Sequence, residues 1–115
     1  MIFAAETEEC ELHVFPDAET AACYCEGLAV EATIWHFWDD AGKPLMPEFS
    51  VPNQRGLFTN KNGLYHLVPH QSAACGLLQE ALEHIRVVVG EAPFTSVGAV
   101  RHYLDRPGPG RAAPG

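Results

Sequence analysis

The first residues that could do chemistry are Cys10, His13, Cys23 and Cys25, a C-x-x-H followed by a C-x-C. A structural zinc ion would need four such donors converging at about 2.0–2.3 Å on one point. The spacing argues against convergence. On a shared helix Cys23 and Cys25 would diverge by about 200°, and Cys10 and His13, three apart on a strand, would face opposite ways. No metal site is assigned, and with Cys75 these cysteines are expected to be free thiols that pack as small hydrophobes.

His36 and His66 come next, each beside aromatic residues on an expected strand. As cross-strand neighbours they could form a general acid–base pair or ligate a metal. Neither strand, however, holds an Asp or Glu placed to orient an imidazole. Together with Tyr65 they define one alternative: a small-molecule-binding protein or enzyme with a pocket between a sheet and the main helix. Other catalytic signatures are missing. Ser50, Ser72 and Ser96 have no G-x-S-x-G elbow, and no local Cys–His signature is present. Gly108-Pro109-Gly110 is no strand-to-helix phosphate loop, and Asp39-Asp40 lacks the remaining ligands of a calcium loop. The chain therefore reads as a binder rather than an enzyme, with no catalytic residue and no cofactor.

Trp35 and Trp38 are the remaining candidates. They fall on opposite faces of one expected strand, so one of them can be left partly uncovered, and tryptophan is enriched in interface hot spots. With the acidic neighbours Asp39, Asp40 and Glu48 they form the candidate partner-binding set. Charge favours the same reading. The chain has 15 acidic and 7 basic residues; two of the basic ones, Arg106 and Arg111, lie at the C-terminus, leaving residues 1–105 with a balance of −10. Such a field repels nucleic acid and anionic membranes and attracts a basic protein partner. The leading expectation is a small acidic protein-binding domain, one concrete version being an inhibitor or immunity-type protein for a basic enzyme such as a nuclease. A structural homodimer is the third reading; Pro44 and Pro47 disfavour long edge pairing, so it would use a sheet face.

The elements that must position these residues suggest an α+β fold, with a mainly antiparallel sheet of about four or five strands. A first strand around Ile2-Phe3 or a frayed start precedes a half-buried strand at 10–15, where Leu12 and Val14 alternate with Glu11 and His13. Asp17 can cap a helix at 18–26 closed by Gly27, with Ala18, Ala21, Ala22 and Cys25 on one face. A β-rich run at 28–38 is apolar on both faces, as a doubly covered strand should be, and turns at Asp39–Gly42 with Gly42 left-handed. The return at 43–51 contains Pro44 and Pro47, which makes it an edge strand, an interrupted strand or a loop. Strands at 57–59 and 64–68 follow, with Phe58, Tyr65 and Leu67 packing. A main helix at 71–88 begins near Ser72 and buries Leu78, Leu82 and Ile85, a short strand at 86–89 being the alternative for its end. Ser96 or Thr95 caps a last helix at 97–104. The Pro/Gly-rich segment 106–115 should be a disordered tail to a single domain spanning 1–105. The N-terminus has no basic signal-like region and no apolar run nears the roughly 18 residues of a membrane span, so a cytoplasmic protein is expected.

Overall fold

The computed structural model describes residues 1–56, 60–70 and 76–105. The expected strand at 57–59 with Phe58, the start of the main helix with Ser72, Cys75 and the tail at 106–115 lie outside the described residues. The fold is α+β. Strands β1 (Ile2–Glu6) and β2 (Glu11–Phe15) form a hairpin, followed by helices α1 (Ala18–Tyr24) and α2 (Gly27–Glu31). Strands β3 (Trp35–Trp38) and β4 (Pro44–Val51) form a second hairpin. A small ribbon of β5 (Gln54–Arg55) and β6 (Asn60–Lys61) precedes β7 (Leu64–Pro69). The chain closes with α3 (Leu78–Ala81) and its 3-10 extension Leu82–His84, β8 (Val87–Val89) and α4 (Val97–Leu104).

Six strands make one mixed sheet in the order β7-β4-β3-β1-β2-β8, in which only the β2–β8 pair is parallel. The sheet is larger than the four or five strands expected because β1 is fully formed and β8 joins it. β1 occupies the middle: Phe3 and Ala5 point to one face, Ile2 and Ala4 to the other, and all four are buried. On the first face Phe3, Leu12 and Trp38 pack with Leu78 and Leu82, Phe94, and Val100 and Leu104 of α4. On the second, Ile2, Ala4, Phe15, Phe37 and Tyr65 pack with Ala21, Cys25 and Val30. Of the small residues expected on one face of α1, Ala21 and Cys25 are fully buried against the sheet and Ala22 is half-buried, whereas Ala18, in the first turn, is exposed.

Local signals explain several elements. Asp17 caps α1 by accepting the Thr20 N–H at 2.7 Å, and Ser96 caps α4 by accepting the Ala99 N–H at 3.1 Å. Gly42 has φ of 80°, the left-handed conformation required where its N–H returns to Asp39 C=O. The prolines of β4 also find a physical place. Asp39 N–H donates to Lys43 C=O, so hydrogen-bonded pairs between β3 and β4 fall at Asp39–Lys43, Phe37–Leu45 and, next in phase, Trp35–Pro47. Pro47 has no N–H to give. The pairing with β3 stops at Leu45, while β4 continues along β7 to Val51. The strand is thus interior at its start and one-sided beyond, an interruption rather than an edge throughout.

Three expectations are corrected. The first part of the run at 28–38 is helix, not strand: Leu28, Ala29 and Glu31 are good helix formers, and Leu28 N–H is held by Asn62 Oδ1 at 2.9 Å. Thr33, at φ of 59°, then breaks the chain toward β3. Gly27 does not close α1; it opens α2 in a crowded corner where an added Cβ would run into Asn53 Oδ1. The main helix is far shorter than 71–88: Gly76 and Leu77 are not helical, it begins at Leu78, and it does not reach 88. It ends at His84, and Val87–Val89 becomes β8, a β-branched run that finds a parallel partner in Glu11–His13.

Candidate partner surface around Trp35

Register builds this surface. In β1, Glu6 stands opposite Glu11 of β2 on one side and Trp35 of β3 on the other. Directly opposed residues share a face, so Glu11, Glu6 and Trp35 form one row across three strands. The next row is His13, Ala4 and Phe37, with Ala4 small and fully buried at its centre. Tyr24, at the end of α1, leans over both rows. Its ring lies 5.3 Å from that of His13, 5.4 Å from Phe15 and 6.0 Å from Trp35, centroid to centroid. The His13 and Trp35 rings meet edge to face at 5.1 Å.

The carboxylates are held in place from within the turn. Glu6 accepts the backbone N–H of Glu8 at 2.8 Å and of Glu9 at 2.9 Å, one on each oxygen. Thr7 ties the same turn to the start of β3, its N–H donating to Ile34 C=O at 2.8 Å. Glu11 Oε2 sits 3.2 Å from His13 Nε2, an ion pair whenever the imidazole is protonated. His13 is buried beneath the aromatic rings, Trp35 is half-buried, and Tyr24 remains 57% exposed. Two partly open π faces beside fixed carboxylates make a surface suited to a Lys or Arg side chain: the rings attract a cation and the glutamates neutralise it.

Of the partner and pocket residues nominated from sequence, Trp35 belongs to this surface, beside His13, and Trp38, Asp39, Asp40, Glu48, His36, Tyr65 and His66 lie elsewhere. Trp38 is only 7% exposed and donates its indole N–H to Gly76 C=O at 3.0 Å within the opposite face's core. Asp39 Oδ1 accepts the N–H groups of Ala41 and Lys43, which holds the β3–β4 turn together. Asp40 receives the Tyr103 hydroxyl and ties that turn to α4. Glu48, exposed on β4, lies 3.3 Å from His66 on β7. His36, Tyr65 and His66 do not converge. Tyr65 is buried toward α1 and donates its hydroxyl to Cys25 C=O at 2.6 Å, whereas His36 sits on the Trp38 side of the sheet, 6.5 Å from that ring. β4 separates His36 from His66.

The cysteines do not gather around His13. Cys10 sits in the β1–β2 turn at φ of 55°, Cys23 is exposed and Cys25 is buried. Burial pushes the Cys25 thiol up to about 12, which keeps it protonated and unreactive at neutral pH. Among the described residues no group of three or more His, Cys, Asp or Glu could hold a metal ion. Likewise, no helix among them is long and apolar enough to cross a membrane. Sequence reasoning placed the glutamates in solvent but missed that the β1–β2 and β1–β3 registers bring Glu11, Glu6 and Trp35 into one row. It missed Tyr24 too, although that residue lies off the small-residue stripe of α1 and so had to face elsewhere. The chain matches no family model, no curated protein and no solved structure.

Proposed function

We propose that this chain is a cytoplasmic protein-binding domain that recognises a basic partner and acts by association, not by catalysis. One observation carries the reading: the exposed Tyr24 ring and the half-buried Trp35 ring adjoin the carboxylate row Glu11–Glu6 on one sheet face. The balance of −10 over residues 1–105 supports it, since a field of that sign speeds encounter with a cationic surface. Its most concrete form is an inhibitor or immunity-type protein that covers the basic substrate channel of an enzyme such as a nuclease. Small size fits that role, because a standard interface of about 800 Å² per partner needs only one face of such a domain.

The test is capture from the native host on the immobilised full chain, at low and at physiological salt. A Trp35→Ala, Glu6→Gln, Glu11→Gln chain serves as the control. The reading expects a basic protein retained by the native chain and released by the control. An empty eluate at both salts, or equal retention by the two chains, contradicts it.

A further inference from the structure

The other flank of α1 carries a second feature, away from Trp35. β7 is the outermost strand of the sheet, and among the described residues no strand pairs with its free edge. His70 N–H donates to Pro44 C=O, so the hydrogen-bonded pairs with β4 fall at Pro44–His70, Met46–Val68 and Glu48–His66. The backbone N–H and C=O groups of Tyr65 and Leu67 therefore point outward. Beside this edge α1 and β7 wall a cavity of about 600 Å³. The helix wall offers the small side chains Ala18, Ala22 and Cys23, which leave the space open, and the carboxylate Glu19, joined by Glu26 just beyond α1. Both glutamates are exposed, and Leu64 at the strand side is 64% exposed.

We propose that this groove takes an extended basic segment of the protein partner, which pairs with β7 as an added strand and sends a Lys or Arg side chain to Glu19 and Glu26. The inference rests on the protein-binding reading above and specifies the shape of what is bound. The outward-pointing ladder groups choose an extended peptide, since a small molecule filling the cavity would not pair with the Tyr65 and Leu67 edge. Charge chooses a basic one. A second copy of this chain, itself at −8, would bring like charge to the same edge, so the occupant is a different protein. Main-chain pairing supplies affinity here and the glutamates supply the preference for a cation.

A random peptide library selected on the full chain tests this. The enriched peptides should carry Lys or Arg among alternating apolar residues. Their binding should weaken about tenfold or more in the exposed charge reversal Glu19→Lys, Glu26→Lys and in Cys23→Trp, which fills the groove. In the native chain the peptides should also slow amide hydrogen exchange at Tyr65 and Leu67, a change that contact with α1 alone would not produce. Enriched peptides that bind both variants unchanged, or that leave those two amides exchanging as before, overturn the proposal. If such peptides are instead lost in Trp35→Ala, the protein-binding reading stands and the groove does not. A library that enriches nothing removes both.

Discussion

Trp35 and Trp38 stand three residues apart on one short strand and meet opposite fates. Trp38 is sealed by large side chains: Leu78 and Leu82 come from the α3 segment, Leu104 from α4, and Gly76 accepts the indole proton. Trp35 looks toward α1, whose buried face is built of Ala21 and Cys25. A helix faced with small residues lies close to the sheet but cannot reach sideways over a tryptophan, so Tyr24 leans against the ring and leaves part of it open. The size of the covering side chains, not the tryptophan itself, decides which ring is core and which is surface.

The two tryptophans should differ most in what their removal costs in stability. Trp38→Ala should cost about 3–5 kcal/mol, while Trp35→Ala, at a half-open site, should cost well under half of that in the same urea titration. Similar losses would mean that both rings are core. Next in size is Tyr65→Phe, which leaves the Cys25 C=O without its donor beneath α1. A loss of about 1–2 kcal/mol is expected, and an unchanged melting temperature would show that the bond does not anchor that helix. Ser96→Ala should cost about 1 kcal/mol by uncapping α4 on the Trp38 side, with Ser96→Asp restoring most of it.

The smallest effect is silent at neutral pH. Burial raises the Cys25 thiol from 9.0 to about 12, so the folded state holds its proton longer than the unfolded chain does. The resulting stability is fully present below about 9 and is lost as pH rises toward about 12. A Cys25→Ala chain should therefore lose less stability than the native chain over that alkaline window, measured by urea midpoints. Parallel curves would place the thiol in contact with water.

Elements with local signals were legible in the sequence. Helix α4 with its Ser96 cap, the Asp17 cap of α1 and the left-handed Gly42 each depend on a few adjacent residues, and each forms as read. Elements fixed by distant partners were legible only in part, the strand at 86–89 standing only as an alternative to the end of the main helix. Val87–Val89 became a strand because Glu11–His13, far away in sequence, offered a parallel edge. Residues 27–31 combine good helix formers with a corner held by Asn53 and Asn62, and only the second of these is out of reach of a local pattern. The candidate surface divides the same way. Alternation was enough to nominate Trp35, whereas Glu6, Glu11 and Tyr24 joined it only through cross-strand register and helix placement, which no local pattern encodes.

The two indole N–H signals separate the open ring from the sealed one. Titrating a short arginine-containing peptide into the labelled full chain should shift the Trp35 indole signal and the backbone signals of Glu6, Glu11 and Tyr24. The Trp38 indole, bonded to Gly76 C=O in the opposite core, should stay where it is. A shift at Trp38 with none at Trp35, or no shift at either at any peptide concentration, would mean that the Trp35 surface does not bind a cationic side chain.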